Sequence, residues 1–129
     1  MRKKEIRDRI EKYKTQSIHY FENALKFIEA GDAEKASEFL WGSMAQALKA
    51  VAASKDIWLK SHKDIRDYAM ELARAPKDEN IRHAFDYAQS LHSNFYESGL
   101  LLEDVAIAAE DVKKVVVKLL NLIPEGERK

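Results

Sequence analysis

Two stretches of this 129-residue chain carry residue types suited to chemistry. The first is LHSNFYE, residues 91–97. On a helix, His92 falls four residues after Ala88 and three before Phe95, on or beside an apolar stripe. A solvated imidazole has no need of that position. Tyr96 stands one turn beyond His92, and Asn94 and Glu97 share a more polar side. Two readings fit these residues. One is a histidine at the core edge, bonded to a carbonyl or a tyrosine. The other is a polar cluster of His92, Asn94, Tyr96 and Glu97 bordering a groove. There the imidazole would hold an anion when protonated and act as an acceptor when neutral.

The second stretch is KSHKD, residues 60–64. Ser61 suits a helix N-cap, and Asp64 three residues on imitates a capping box. Backbone N–H groups point outward at such a terminus and its dipole is positive, so an anion could bind beside His62. The plainer reading is an ordinary cap with a solvated histidine. Lys49 is a third candidate. It is the single charge in FLWGSMAQALKAVAAS, residues 39–54, and an unpaired buried ammonium is too costly. It requires a water path or an anionic partner. The basic start of the chain, with seven cationic and three acidic side chains in residues 1–14, reads as a solvated helix face before an RNA-binding stripe, because Glu5, Asp8 and Glu11 interrupt it.

Metal chemistry finds little support. Di-iron bundles need Glu-x-x-His on two helices, and no glutamate here precedes a histidine by three. His19 and Glu22, or Glu79 and His83, make single pairs that do not recur. The absence of cysteine excludes a thiolate zinc site, and glycines do not cluster into a phosphate loop. No metal or cofactor is expected.

Helices must position these residues. A first helix over residues 3–30 shows an inward face of Ile6, Ile10, Tyr13, Ser17, Tyr20, Ala24, Phe27 and Ile28. Gly31 reads as its C-terminal cap and Asp32 as the N-cap of the next helix. So short a connection makes the two helices antiparallel neighbours. The second helix, residues 33–54, has almost no solvated face beyond Phe39. It is the central helix, with Leu48 and Met44 buried and Gly42, Ser43, Ala45 and Ala47 admitting a close neighbour. Ile57 and Trp58 are expected to fold back on the core. A third, shorter helix presents Ile65, Tyr68, Ala69 and Leu72 and ends before Pro76. A fourth, capped by Asp78, presents Ile81, Ala84, Phe85, Ala88, Leu91 and Phe95, and Gly99 stops it. A fifth begins near Leu102 and presents Val105, Ala109, Val112, Val116, Leu119 and Ile123, with Pro124 at its end. The expected fold is all-α, an up-and-down antiparallel four-helix bundle with one shorter helix added. It forms one domain over residues 1–129 with a frayed tail at 125–129.

Formal net charge is zero, so no global field selects nucleic acid or membrane. No apolar run approaches the length of a membrane span, and no apolar signal region follows the basic residues. The cytoplasm is the expected compartment. Many charges with few Asn and Gln lean towards a thermophile. Five Tyr, five Phe and two Trp are many large side chains for one small bundle, and favour a two-fold homodimer.

The segments Glu38-Phe39-Leu40-Trp41-Gly42, Ala47-Leu48-Lys49-Ala50, Leu91-His92 and Asn94-Phe95-Tyr96-Glu97 together resemble the archaeal PaREP family. That family is similar to HEPN domains (higher eukaryotes and prokaryotes nucleotide-binding), and Ser61-His62 with Ile65 resembles the HEPN element that opens the helix after the central hairpin. The resemblance implies a HEPN-like bundle, an archaeal source and frequent dimers. It also implies RNA cleavage in some relatives and partnership with a nucleotidyltransferase in others. The ribonuclease pattern is Arg, four to six residues, then His. Here nine residues separate Arg82 from His92 and eight separate Arg74 from His83, which speaks against catalysis. The reading is a binding or assembly module for nucleotide or RNA, using Lys49, His62, His92, Asn94, Tyr96 and Glu97. The alternatives are a divergent metal-independent ribonuclease with His92 as acid–base, and a non-catalytic partner of a nucleotidyltransferase.

Overall fold

The computed structural model describes residues 2–74, 81–83, 85, 86, 90 and 102–124. They form an all-α bundle, with no strand among the described residues. Helices α1 (Arg2–Glu29), α2 (Ala33–Ser54), α3 (His62–Arg74) and α4 (Leu102–Asn121) follow in order. The described residues of 81–90 are also helical, where the sequence predicts a helix of its own. Helix α4 is therefore the fifth of the expected helices.

Helices α1 and α2 are joined by a tight reversal. The amide of Asp32 donates to Phe27 O at 2.8 Å and that of Gly31 to Ile28 O at 3.0 Å. Gly31 takes φ +82°, the left-handed geometry that closes a Schellman cap. Asp32 then caps α2, its side chain accepting from Lys35 N at 3.1 Å. Both caps stand where the sequence predicts them.

The end of α2 repeats the motif without glycine. Asp56 N donates to Ala53 O at 3.0 Å, and Ile57 N to Ala52 O at 2.9 Å. Here Asp56 takes the left-handed position, at φ 60°. Aspartate enters that region more readily than most side chains. The turn sends Ile57 outward, 40% exposed, and Trp58 inward against the core. The expected fold-back thus holds for Trp58 and fails for Ile57.

Helix α2 touches α1, α3 and α4, so it is the centre of the bundle. Leu40, Met44, Leu48 and Val51 are all at most 1% exposed. The predicted stripes of α3 (Ile65, Tyr68, Ala69, Leu72) and α4 (Val105, Ala109, Val112, Val116, Leu119) are buried. Ile81, Phe85 and Ile123 join the same core.

Candidate functional site

Two serines set how α1 meets α2. Ser17 Oγ donates to Ser43 O at 2.8 Å, and Ser43 Oγ donates to Ser17 O at 2.7 Å. Both residues are fully buried. Each hydroxyl is satisfied by the opposite backbone, which requires the two helices to lie close. One turn away, Tyr20 lies over Gly42. A β-carbon on Gly42 would stand 3.1 Å from Tyr20 Cδ2. The glycine leaves room for the ring.

This register brings cations and rings together along one side of the hairpin. From α1 come Arg9, Tyr13, Tyr20 and Phe27, spaced by four, seven and seven residues, which keeps them on one side of a helix. From α2 come Lys35, Phe39, Gly42, Gln46 and Lys49, spaced by three or four. Lys35 Nζ lies 5.4 Å from the Phe27 ring centre and Lys49 Nζ 5.9 Å from that of Tyr13. Arg9 Cζ lies 4.5 Å over the Trp58 ring. Phe27 and Phe39 stack at 5.5 Å with 4° between their planes, and Tyr20 tilts against Phe39 at 5.7 Å. Tyr13, Tyr20, Phe27, Phe39, Gly42, Gln46, Lys49 and Trp58 are all half-buried. The side is neither core nor fully solvated. Lys49 solves its burial problem with a ring face, since the π-cloud attracts a cation.

His62 occupies a different place. It is exposed, and its ring centre lies 4.6 Å from that of Trp41. The stretch 57–60 therefore runs back along α2, and α3 starts against the middle of that helix. Lys49 lies eight residues from Trp41, about 12 Å along the axis at 1.5 Å per residue. The contacts of Lys49 and His62 are thus with different neighbours. His92, Asn94, Tyr96 and Glu97 lie outside the described residues.

The start of α3 is capped from within. Asp64 N donates to Ser61 Oγ at 3.1 Å, and Lys60 N donates to Asp64 Oδ2 at 3.0 Å. The aspartate reaches one residue further back than the N-cap itself. A carboxylate already occupies this positive terminus, and Lys63 is paired with Asp67 at 2.8 Å. Both features disfavour a further anion there. The Lys60 amide, followed by Ser61, holds the Asp64 carboxyl below its ordinary 3.8. A group depressed in the folded state contributes stability above its unfolded value and loses it as pH falls through the folded one. The Lys60 and Asp64 amide resonances are therefore expected to titrate with a midpoint below 3.8, the start of α3 fraying on that acid limb. A midpoint at or above that value would refute the cap.

The sequence reading did not select the cation–ring side. The seven-residue recurrence of Tyr13, Tyr20 and Phe27 is visible in the chain. Their partners Lys49, Gly42 and Lys35 become visible only once the helix register is known. Among the described residues, no three His, Asp or Glu side chains group as metal ligands. No helix among them is long and apolar enough to cross a membrane.

A search among curated proteins finds no match. Among solved structures, the chain is similar to a crystal structure of a protein from Sulfolobus solfataricus, with a TM-score of 0.73 at 22% identity. The match covers 84% of this chain and 97% of that one. At that identity it speaks for the fold alone. The family model described as archaeal PaREP1/PaREP8 matches residues 12–116, from the first turns of α1 almost to the end of α4. The chain belongs to the archaeal PaREP1/PaREP8 family.

Proposed function

We propose that the chain is a binding module that holds nucleotides or single-stranded RNA along the cation–ring side of the α1–α2 hairpin. The observation that carries this reading is the interleaving of Arg9, Lys35 and Lys49 with Trp58, Tyr13, Phe27 and Phe39. Cations follow a phosphate backbone, and half-open rings take the face of a base whatever its identity. The resemblance to HEPN domains read from the sequence implies the same ligand class. Among the residues singled out from sequence, the reading rests on Lys49. His62 on Trp41 offers a separate platform, and His92, Asn94, Tyr96 and Glu97 remain candidates from the sequence alone. Nothing in the geometry of the described residues favours RNA cleavage or a nucleotidyltransferase partner over simple binding. Self-association belongs to the reading as well, because Ile18 and Leu25 of α1 are 44% and 46% exposed.

Fluorescence anisotropy with a labelled oligouridine tests the proposal. Each neutralised phosphate contributes roughly −0.7 to the slope of log affinity against log salt, so three cations give about −2. Lys49→Ala and Arg9→Ala should each flatten that slope by roughly 0.7 and weaken binding several-fold. Wild-type binding by both variants, or no binding at hundreds of micromolar, would refute this role.

A further inference from the structure

Helix α1 has a second uncommitted face, away from the cation–ring side. Ile18 and Leu25 are seven residues apart and both exposed, and the half-buried Phe21 lies between them. Seven-residue spacing places Ile18 and Leu25 one above the other, two turns apart. This is a short apolar stripe in the second half of a 28-residue helix.

The charges around the stripe are divided along the helix. Residues 2–14 hold seven basic and three acidic side chains. Between 15 and 29 the acids are Glu22 and Glu29, against Lys26, with His19 formally neutral. One end of α1 is therefore positive and the other negative. Two parallel copies would set like charge on like. Two antiparallel copies set each basic half over an acidic half.

We propose that this face binds a second copy of the chain, α1 against α1, antiparallel about a two-fold axis beside Ile18. The inference rests on the self-association in the functional reading and names its surface. The axis places Ile18 against the partner's Ile18. Arg7 then faces the partner's Glu29. Glu11 falls opposite the partner's Leu25 and lays its methylenes on that side chain, its carboxylate outward. Arg7, Glu22 and Glu29 are exposed. In an isologous contact every pair off the axis occurs twice, so a substitution there acts twice.

Sedimentation velocity on the full chain tests it. A dimer is expected at tens of micromolar in low salt, weakening as salt screens the pairs. Leu25→Glu should raise the dimer dissociation constant roughly tenfold or more, since the lost apolar contact and the new charge facing the partner's Glu11 each count twice. Arg7→Glu and Glu29→Arg should each weaken the dimer. The double variant should recover most of the affinity, because the swapped pair is again complementary. Two results overturn the proposal. A monomer at hundreds of micromolar in low salt removes self-association and its surface together. A dimer that withstands Leu25→Glu and both charge reversals keeps self-association and removes this surface. Neither result touches RNA binding, which is read separately in the Leu25→Glu variant.

Discussion

Replacing Leu48 by Ala is expected to cost roughly 2–5 kcal/mol of folding stability, because truncating a buried leucine loses its transfer energy and leaves a cavity. Leu48 sits in the second half of α2, fully buried, in the helix that touches α1, α3 and α4. Its neighbours in sequence on the same helix, Met44, Val51 and Ala52, are buried too. Surroundings made by several helices cannot collapse into the space by moving one side chain, which argues for the upper part of the range. For a domain of this size each kcal/mol lowers the melting temperature by about 3–5 °C. Thermal melting by circular dichroism should show a drop of roughly 10 °C or more. Truncation of the exposed Leu25, measured alongside, should change stability by roughly half a kcal/mol or less. Equal losses at the two sites would mean that α2 is not the central helix.

The parts of the fold that follow from local chemistry were legible in the chain. Gly31 and Asp32 announce a reversal because each residue type answers a specific backbone need: positive φ for one, a side-chain acceptor for the other. The stripes of α3 and α4 follow from three- and four-residue spacing alone. The turn after α2 uses the same Schellman hydrogen bonds as the turn before it. It is not legible, because Asp56 fills the position that glycine would advertise, so the sequence predicts an inward Ile57. The cation–ring side lay beyond local reading for another reason. Arg9 meets Trp58 across forty-nine positions of chain and Tyr13 meets Lys49 across thirty-six. Those pairings depend on the register of two helices, which no spacing within either helix encodes. What sets the register is the pair Ser17 and Ser43, which the sequence places on an inward face and at a close approach but does not join to each other.

That pair gives the second large effect. Ser43→Leu is expected to cost about 3 kcal/mol or more, while Ser43→Ala costs about 1 kcal/mol. The alanine variant loses one hydrogen bond of ordinary net worth and leaves Ser17 still donating to the backbone at position 43. The leucine variant loses the same bond and also adds three carbon atoms to a site with no exposed surface. Overpacking a tight contact usually costs 1–3 kcal/mol, through strained rotamers and displaced backbone. Here the obstacle is the main chain of α1 itself, since Ser43 Oγ lies 2.7 Å from Ser17 O. A backbone carbonyl cannot step aside as a side-chain end can, so the helices must separate or slide. Sliding would shift the rest of the register with it. Tyr20 would leave Gly42, and Tyr13 would leave Lys49. Chemical denaturation gives the energies, and RNA anisotropy on the folded variants gives the consequence. Ser43→Ala should bind RNA as the parent does. Ser43→Leu, at temperatures where it is still folded, should bind several-fold more weakly. The same loss of stability in both variants would show that the helices are not held close by these serines. Unchanged binding in the leucine variant would separate the cation–ring side from the register that builds it.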